Sequence, residues 1–228
     1  TLVKILFGLY NQDQGKIKIN GKETVIKNPA AAIKEKMGMI HQHFMLVDRF
    51  SITENIIAGQ EPTRGISLDK KKAEAEVKEI SQNFGFDLNP EALIENISVG
   101  EQQRVEILKA LYRDAEILIL DEPTAVLTPQ ETEDLFKIMR SLKAENKTII
   151  FITHKLKETM EIADRITILR DGKKIETVEK SDTSPQKLAN MMVGRDVLLN
   201  VEKSDKEVGS EIFRLEKLNY KNPRSEER

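Results

Sequence analysis

The chain has 228 residues, enough for one good-sized domain or one plus a fragment. With 39% hydrophobic and 32% charged residues it reads as a soluble protein with a core, and a net charge of −2 leaves no electrostatic footprint for nucleic acid or a polybasic membrane patch. Cysteine is absent, which removes disulfides and thiolate metal sites; no apolar run approaches the ~20 residues that cross a bilayer, and no signal peptide is visible.

In chain order, residues 1–9 read as the inside of a helix, with Leu2, Ile5 and Leu6 on one face and a stop near Gly8. The chain opens without Met and without a turn signal, which predicts that a segment belongs before Thr1. Gln14 and Gly15 make a turn. Residues 16–19 alternate polar and apolar, Asn20-Gly21 is a hairpin turn, and 22–27 return. Asn28 caps and Pro29 opens a short helix through Lys36, and Met37–Ile40 reads as a buried strand. Ser51 and Glu54 have capping-box spacing for a helix through Ile57. After a polar loop at 59–67, a helix from Asp69 to Phe84 carries Ala73, Val77, Ile80 and Phe84 on one stripe.

Ser98 and Glu101 repeat the capping-box spacing and start a helix to about Arg113. Ile117–Leu120 is an unbroken apolar run, the pattern of a strand covered on both faces of a parallel sheet. Thr128, Pro129 and Glu131 start a helix to about Ala144 with cap, first-position proline and acid. Residues 148–153 read as a second buried strand and 155–163 as a helix. Residues 165–170 are a third strand, turned back by Asp171-Gly172 into 174–178. Ser184-Pro185 starts a last helix through Met192. Residues 197–210 read as a linker, and 211–220 alternate like the first edge strand of another domain.

Asp121 and Glu122 follow the apolar run directly, where open α/β sheets bind ligands. Two readings stand for them: a solvated strand stop, or a metal ligand followed by a base or water-orienting group. Gln42 and His154 each end a predicted strand, and each alone also fits a hydrogen-bonded structural residue. Ser98 and Gly100 open a helix whose free N–H groups and dipole favour an anion, though an ordinary capped helix has the same start. His41 and His43 flank Gln42, but no third ligand lies nearby for zinc.

The order of these features resembles the ATP-binding cassette family, the ATPase domain of ABC transporters, over residues 1 to about 196. The resemblance implies an α/β fold: a P-loop NTPase-type, mainly parallel sheet with an antiparallel β edge and a helical subdomain insert at about 43–115. Gln42 corresponds to the glutamine loop, which touches the magnesium or the attacking water and reads the membrane partner. Ser98 and Gly100 correspond to the signature sequence that meets the γ-phosphate of ATP on the opposite domain; Val99 and Glu101 depart from the usual pattern. Asp121 would hold Mg2+, Glu122 would act as general base, and His154, 32 residues on, corresponds to the switch histidine. Thr128 stands where the family commonly has Asp, which implies two unequal sites; it is equally a helix cap. Thr1 would lie near the α-phosphate. The Gly-x-x-Gly-x-Gly-Lys-Ser that precedes it in the family is not in this sequence, so residues 1–228 alone are expected to bind ATP poorly and not to hydrolyse it.

His41 to Phe44, Ser98 to Gly100, Glu122 to Ala125 and Met191 to Arg195 look like the simple-sugar and nucleoside importers, which carry two cassettes in one polypeptide. The resemblance therefore implies a first cassette at 1–196, a linker at 197–210 and the start of a second cassette at 211–228. Two transmembrane permease subunits, an extracellular solute-binding protein and the second cassette are the implied partners. ATP and Mg2+ are the implied substrate and cofactor, and the cytoplasmic face of the membrane is the implied location. A soluble, non-transport cassette ATPase is the alternative, disfavoured by His154 and the Gln42 loop. A chromosome or DNA-repair ATPase would need coiled coils and basic surface. A non-catalytic remnant would follow if no Gly-Lys-Ser preceded Thr1.

Overall fold

The computed structural model describes residues 1–65, 67–196 and 213–218. Helix α1 (Leu2–Leu6) ends where Gly8 turns to a φ of 73°. Its buried side chains are Val3 and Phe7, four apart, rather than Leu2, which is 53% exposed; i and i+4 share one side of a helix, and that side meets the sheet. Strands β1 (Ile17–Ile19) and β2 (Lys22–Thr24) form a hairpin whose Asn20 and Gly21 both take positive φ, as a two-residue type I′ turn requires. In α2 (Pro29–Lys34) the Asn28 side chain accepts the Ala31 N–H at 2.9 Å. Strand β3 (Met37–Ile40) is buried throughout.

Residues 43–115 hold the expected helical insert. It contains α3 (Ile52–Ile57), α4 (Lys70–Asn83) and α5 (Val99–Tyr112), and the polar loop folds a small hairpin of β4 (Thr63–Arg64) and β5 (Ser67–Leu68). Both predicted capping boxes are present. Glu54 takes the Ser51 N–H at 2.8 Å and Glu101 takes the Ser98 N–H at 2.8 Å, while each serine accepts in return. On α5 the Tyr112 hydroxyl donates to Glu76 of α4; burial, then that bond, push the phenol up to about 12.

Strand β6 (Ile117–Asp121) is the middle of a three-stranded parallel sheet, between β3 and β7 (Thr148–Ile152). Leu118 and Leu120 face a core built with α3, α4, α5 and α6 (Pro129–Ala144), whereas Ile119 faces a second core with Val3, Phe7 and Ala32. Helices on both faces explain the unbroken apolar run. The expectation of a fully buried strand at 148–153 needs correction: β7 is half-buried, because it is an edge of the sheet among the described residues. Helix α7 (Leu156–Ile162) follows it. Among the described residues strand β8 (Arg165–Arg170) pairs only with β9 (Lys173–Glu179) and does not extend the parallel sheet. Ile166 and Ile168 pack instead with Leu188 of α8 (Pro185–Val193), a third, smaller core.

No helix of the described residues is long and apolar enough to cross a membrane. The predicted linker at 197–210 lies outside the described residues. Of the stretch expected as a strand at 211–220, residues 213–218 are exposed and in no ladder, and the rest lies outside as well.

Candidate functional site

The parallel strands end together, and their last residues set the site. Ile40 pairs with Leu120 and Ile152 with Asp121, so Gln42, Glu122 and His154 all leave the same C-terminal edge of the sheet. The first residue past β6 is Glu122, held at a φ of 48°. Left-handed backbone is uncommon for a residue with a side chain, and here the surroundings fix it: the Glu122 N–H donates to Ile152 O at 3.0 Å, and its own carbonyl accepts from the Ala125 N–H at 3.1 Å. The turn throws the carboxylate towards the neighbouring loop. There Glu122 Oε1 lies 3.1 Å from His154 Nδ1. The acid is half-buried and the imidazole exposed, which leaves the outer side of the pair open to a ligand.

Asp121 is half-buried at the end of β6, and Gln42 is exposed in the bend after β3. Neither side chain has a hydrogen-bond or ion-pair partner among the described residues. A free carboxylate and a free carboxamide oxygen leaving adjacent strands are donor types that suit a hard cation such as Mg2+. Among the described residues no group of three or more His, Asp or Glu is arranged to hold a metal, so protein ligands alone do not form a closed cage.

Among the described residues no hydrogen bond or ion pair ties Ser98, Gly100 or Thr1 to this group. Ser98 and Gly100 sit at the start of α5, against the start of α6. There the Gly100 N–H donates to Glu131 Oε1 at 3.2 Å, and the other Glu131 oxygen accepts from the Thr128 N–H at 2.9 Å and the Thr128 hydroxyl at 2.8 Å. Glu101, a departure from the usual signature, turns its carboxylate back onto the Ser98 N–H. Thr1 is exposed at the start of α1, with its carbonyl accepting the Ile5 N–H.

Two further groups escaped the sequence reading. The segment after Gln42 is pinned from α5: Glu106 Oε1 accepts the Met45 N–H at 2.6 Å, and Lys109 donates to Met45 O at 3.1 Å. Asn55 of α3 brackets Val47 in the same way, at 2.8 and 3.1 Å. Burial holds the Glu106 carboxyl above its ordinary range, against Lys109, the Met45 N–H, His41 and Arg113, which pull it down. The second group is the set of Thr124, Thr153, Lys155 and Glu158 behind the Glu122–His154 pair. Glu158 stands three residues after Lys155 at the start of α7, and that ion-pair spacing is the one sequence signal for it.

Residues 1–125 match the family model described as ABC transporter. The chain belongs to the ABC transporter family. It is 51% identical over 224 residues to the nucleoside import ATP-binding protein NupA of Lactococcus lactis subsp. cremoris, covering 98% of this chain and 44% of that protein. It is 49% identical, with the same coverage, to the guanosine import ATP-binding protein NupO of Bacillus subtilis. The ribose import ATP-binding protein RbsA of Caldanaerobacter subterraneus is 43% identical, covering 97% of this chain and 45% of that protein. The chain thus spans less than half the length of these curated relatives. Among solved structures, an ATP-binding cassette of an ABC transporter in its ADP conformation superposes with a TM-score of 0.69 at 21% identity, covering 84% of this chain and 78% of that one. A nucleotide-free ABC cassette gives 0.68 at 20% identity, covering 78% and 74%. These likenesses establish the α/β cassette fold.

Proposed function

We propose that this chain is the water-activating part of an ATP-hydrolysing subunit that drives import of a nucleoside or simple sugar. The observation that carries the reading is the Glu122–His154 contact at the sheet edge. Glu122 is the general base, or the group that orients the attacking water, and His154 holds that carboxylate and touches the γ-phosphate. Asp121 and Gln42 would hold Mg2+ through oxygen, and the ion would supply charge neutralisation for the phosphates. Thr1 lies near the α-phosphate. Ser98 and Gly100 present the N-terminus of α5 to ATP held by an opposing cassette. A phosphate arriving there competes with Glu131 for the Gly100 N–H.

The names of the relatives support import as the process, since those at 51% and 49% identity are named for nucleoside and guanosine import and one at 43% for ribose. Two permease subunits, an extracellular solute-binding protein and a second cassette in the same polypeptide are the partners of this reading. The subunit then works at the cytoplasmic face of the membrane, with residues 1–196 as the first cassette and 211–228 opening the second. The pinned Met45 and Val47 segment supports the coupling role of the glutamine loop, because α5 and α3 grip the backbone that leads away from Gln42.

The test uses the full-length protein assembled with its permease. Glu122→Gln is expected to lower ATP turnover by about 10²–10⁴-fold while ATP still binds. Uptake of labelled nucleosides should fall in parallel with hydrolysis. Unchanged hydrolysis in Glu122→Gln would overturn the catalytic reading, and uptake of sugars alone would overturn the nucleoside arm.

A further inference from the structure

Behind the Glu122–His154 contact, four side chains close on one another. Thr124, 2% exposed, donates its hydroxyl to Glu158 Oε2 at 2.7 Å. Thr153 donates to the same oxygen at 3.2 Å. Lys155 Nζ reaches Glu158 Oε1 at 3.1 Å, Thr124 O at 3.0 Å and Thr124 Oγ1 at 3.2 Å. The Lys155 N–H donates to Thr153 Oγ1 at 3.0 Å. Each of the four therefore touches at least two of the others, and the buried Glu158 carboxylate touches all three.

The cluster joins three pieces of chain. Thr124 stands two residues after Glu122 in the turn beyond β6. Thr153 and Lys155 flank His154 in the loop beyond β7. Glu158 comes from the first turn of α7, which is itself wedged between two cores: Ile162 faces the large one, and Leu156 and Met160 face the small one. Apart from each other, Glu122 and His154 have no side-chain partners among the described residues. Their separation is set by the backbones they ride on. Beyond the last rung of the β6–β7 ladder, those backbones are tied by the bond from the Glu122 N–H to Ile152 O and by this cluster.

We propose that Glu158 and Lys155 are positioning residues that hold His154 against Glu122. The inference rests on the reading of Glu122 and His154 as the hydrolytic pair. The chemistry is specific to a carboxylate. Oε2 receives two hydroxyl protons and Oε1 receives the ammonium, so both oxygens must accept. Charge-assisted bonds to a buried carboxylate are strong and directional. Replacing Glu158 by Gln leaves one acceptor oxygen and turns an NH2 towards either the threonines or Lys155. One loop is then released from the other, and the imidazole drifts from the carboxylate it orients.

The test is a mutant cycle in the full-length protein assembled with its permease. Glu158→Gln is expected to lower kcat by about tenfold to a hundredfold, as misplacement of a catalytic group does, with KM for ATP nearly unchanged. In the His154→Ala background the same change should add less than about threefold, because the residue it positions is already gone. Glu158→Asp should recover part of the loss. Thr153→Val removes one bond of the cluster and gives the same cycle should Glu158→Gln fold poorly. Undiminished kcat in both Glu158→Gln and Thr153→Val, or a full multiplicative loss on top of His154→Ala, would overturn the proposal. If instead Glu122→Gln leaves turnover intact, the hydrolytic reading itself fails, whatever the cycle shows.

Discussion

Glu131 closes two helix starts with one carboxylate. It completes the capping box of α6 on Thr128, and it takes the Gly100 N–H at the start of α5. Only glycine permits the second contact, since a Cβ on Gly100 would lie 2.5 Å from Glu131 Oε1. The Thr128 N–H, then its hydroxyl, and after them the Gly100 N–H and Arg104 hold the Glu131 carboxyl below its ordinary 4.5. With a lowered folded value, the unfolded chain binds the proton more tightly, so the stabilisation is present above about pH 4.5 and lost as the pH falls further. Glu131→Gln should lower the Tm at neutral pH, and the gap to the parent should narrow on acidification below that point. A gap in thermal unfolding that stays constant with pH would contradict this account. The local half of the arrangement was legible: Thr128, Pro129 and Glu131 announce a capped helix. The bond to Gly100 was not, because it joins residues 31 apart through packing that neither motif encodes. Asp121, Glu122 and His154 were legible as residues, but the left-handed turn that brings two of them together was not.

At the scale of elements, the joint between β3 and α5 has little room. A Cβ on Gly38 would meet the Ala110 Cβ at 2.7 Å and the Ala115 Cβ at 3.2 Å. Gly38→Ala is therefore expected to destabilise by about 1–3 kcal/mol, the usual range for an overfilled core. Adding Ala110→Gly should relieve the clash but sacrifice about 1 kcal/mol of helix propensity, so the double variant recovers only part. Urea unfolding measures both, and a Gly38→Ala variant as stable as the parent would show that the seam yields. The seam also joins the strand that leads to Gln42 and the helix that Ser98 caps. The covering of both sheet faces was readable from Ile117–Leu120, whose run leaves no polar face. The same argument misjudged 148–153, whose centre is as apolar, because a strand does not carry the identity of its neighbours. Asp171-Gly172 likewise marked the turn of β8 and β9 but not their separation from the parallel sheet.

Taken as a molecule, the chain is built on cores of unequal size. The two that sandwich the parallel sheet draw on most of the helices, while Ile166, Ile168 and Leu188 are the buried members of the third. Apart from the buried Thr124–Glu158 bond, three polar links between the parts are exposed: Arg140 to Glu161 at 2.6 Å, Lys143 to Asp164 at 2.6 Å, and Lys180 to the Glu161 carbonyl at 3.0 Å. Exposed ion pairs contribute about 0–1 kcal/mol each, so they do little to make the small core open together with the large ones. Deuterium uptake by the native protein should therefore arrive in two waves. Amides of 165–193 exchange first, through partial opening, and those of 117–121 only when the whole chain unfolds. Mass spectrometry of the labelled peptides would resolve the order, and equal protection of both segments would mean a single cooperative unit. The small core is the one on which α7 rests with Leu156 and Met160, so the histidine loop that precedes α7 would inherit its shorter lifetime, while the carboxylates at the end of β6 keep the longer one.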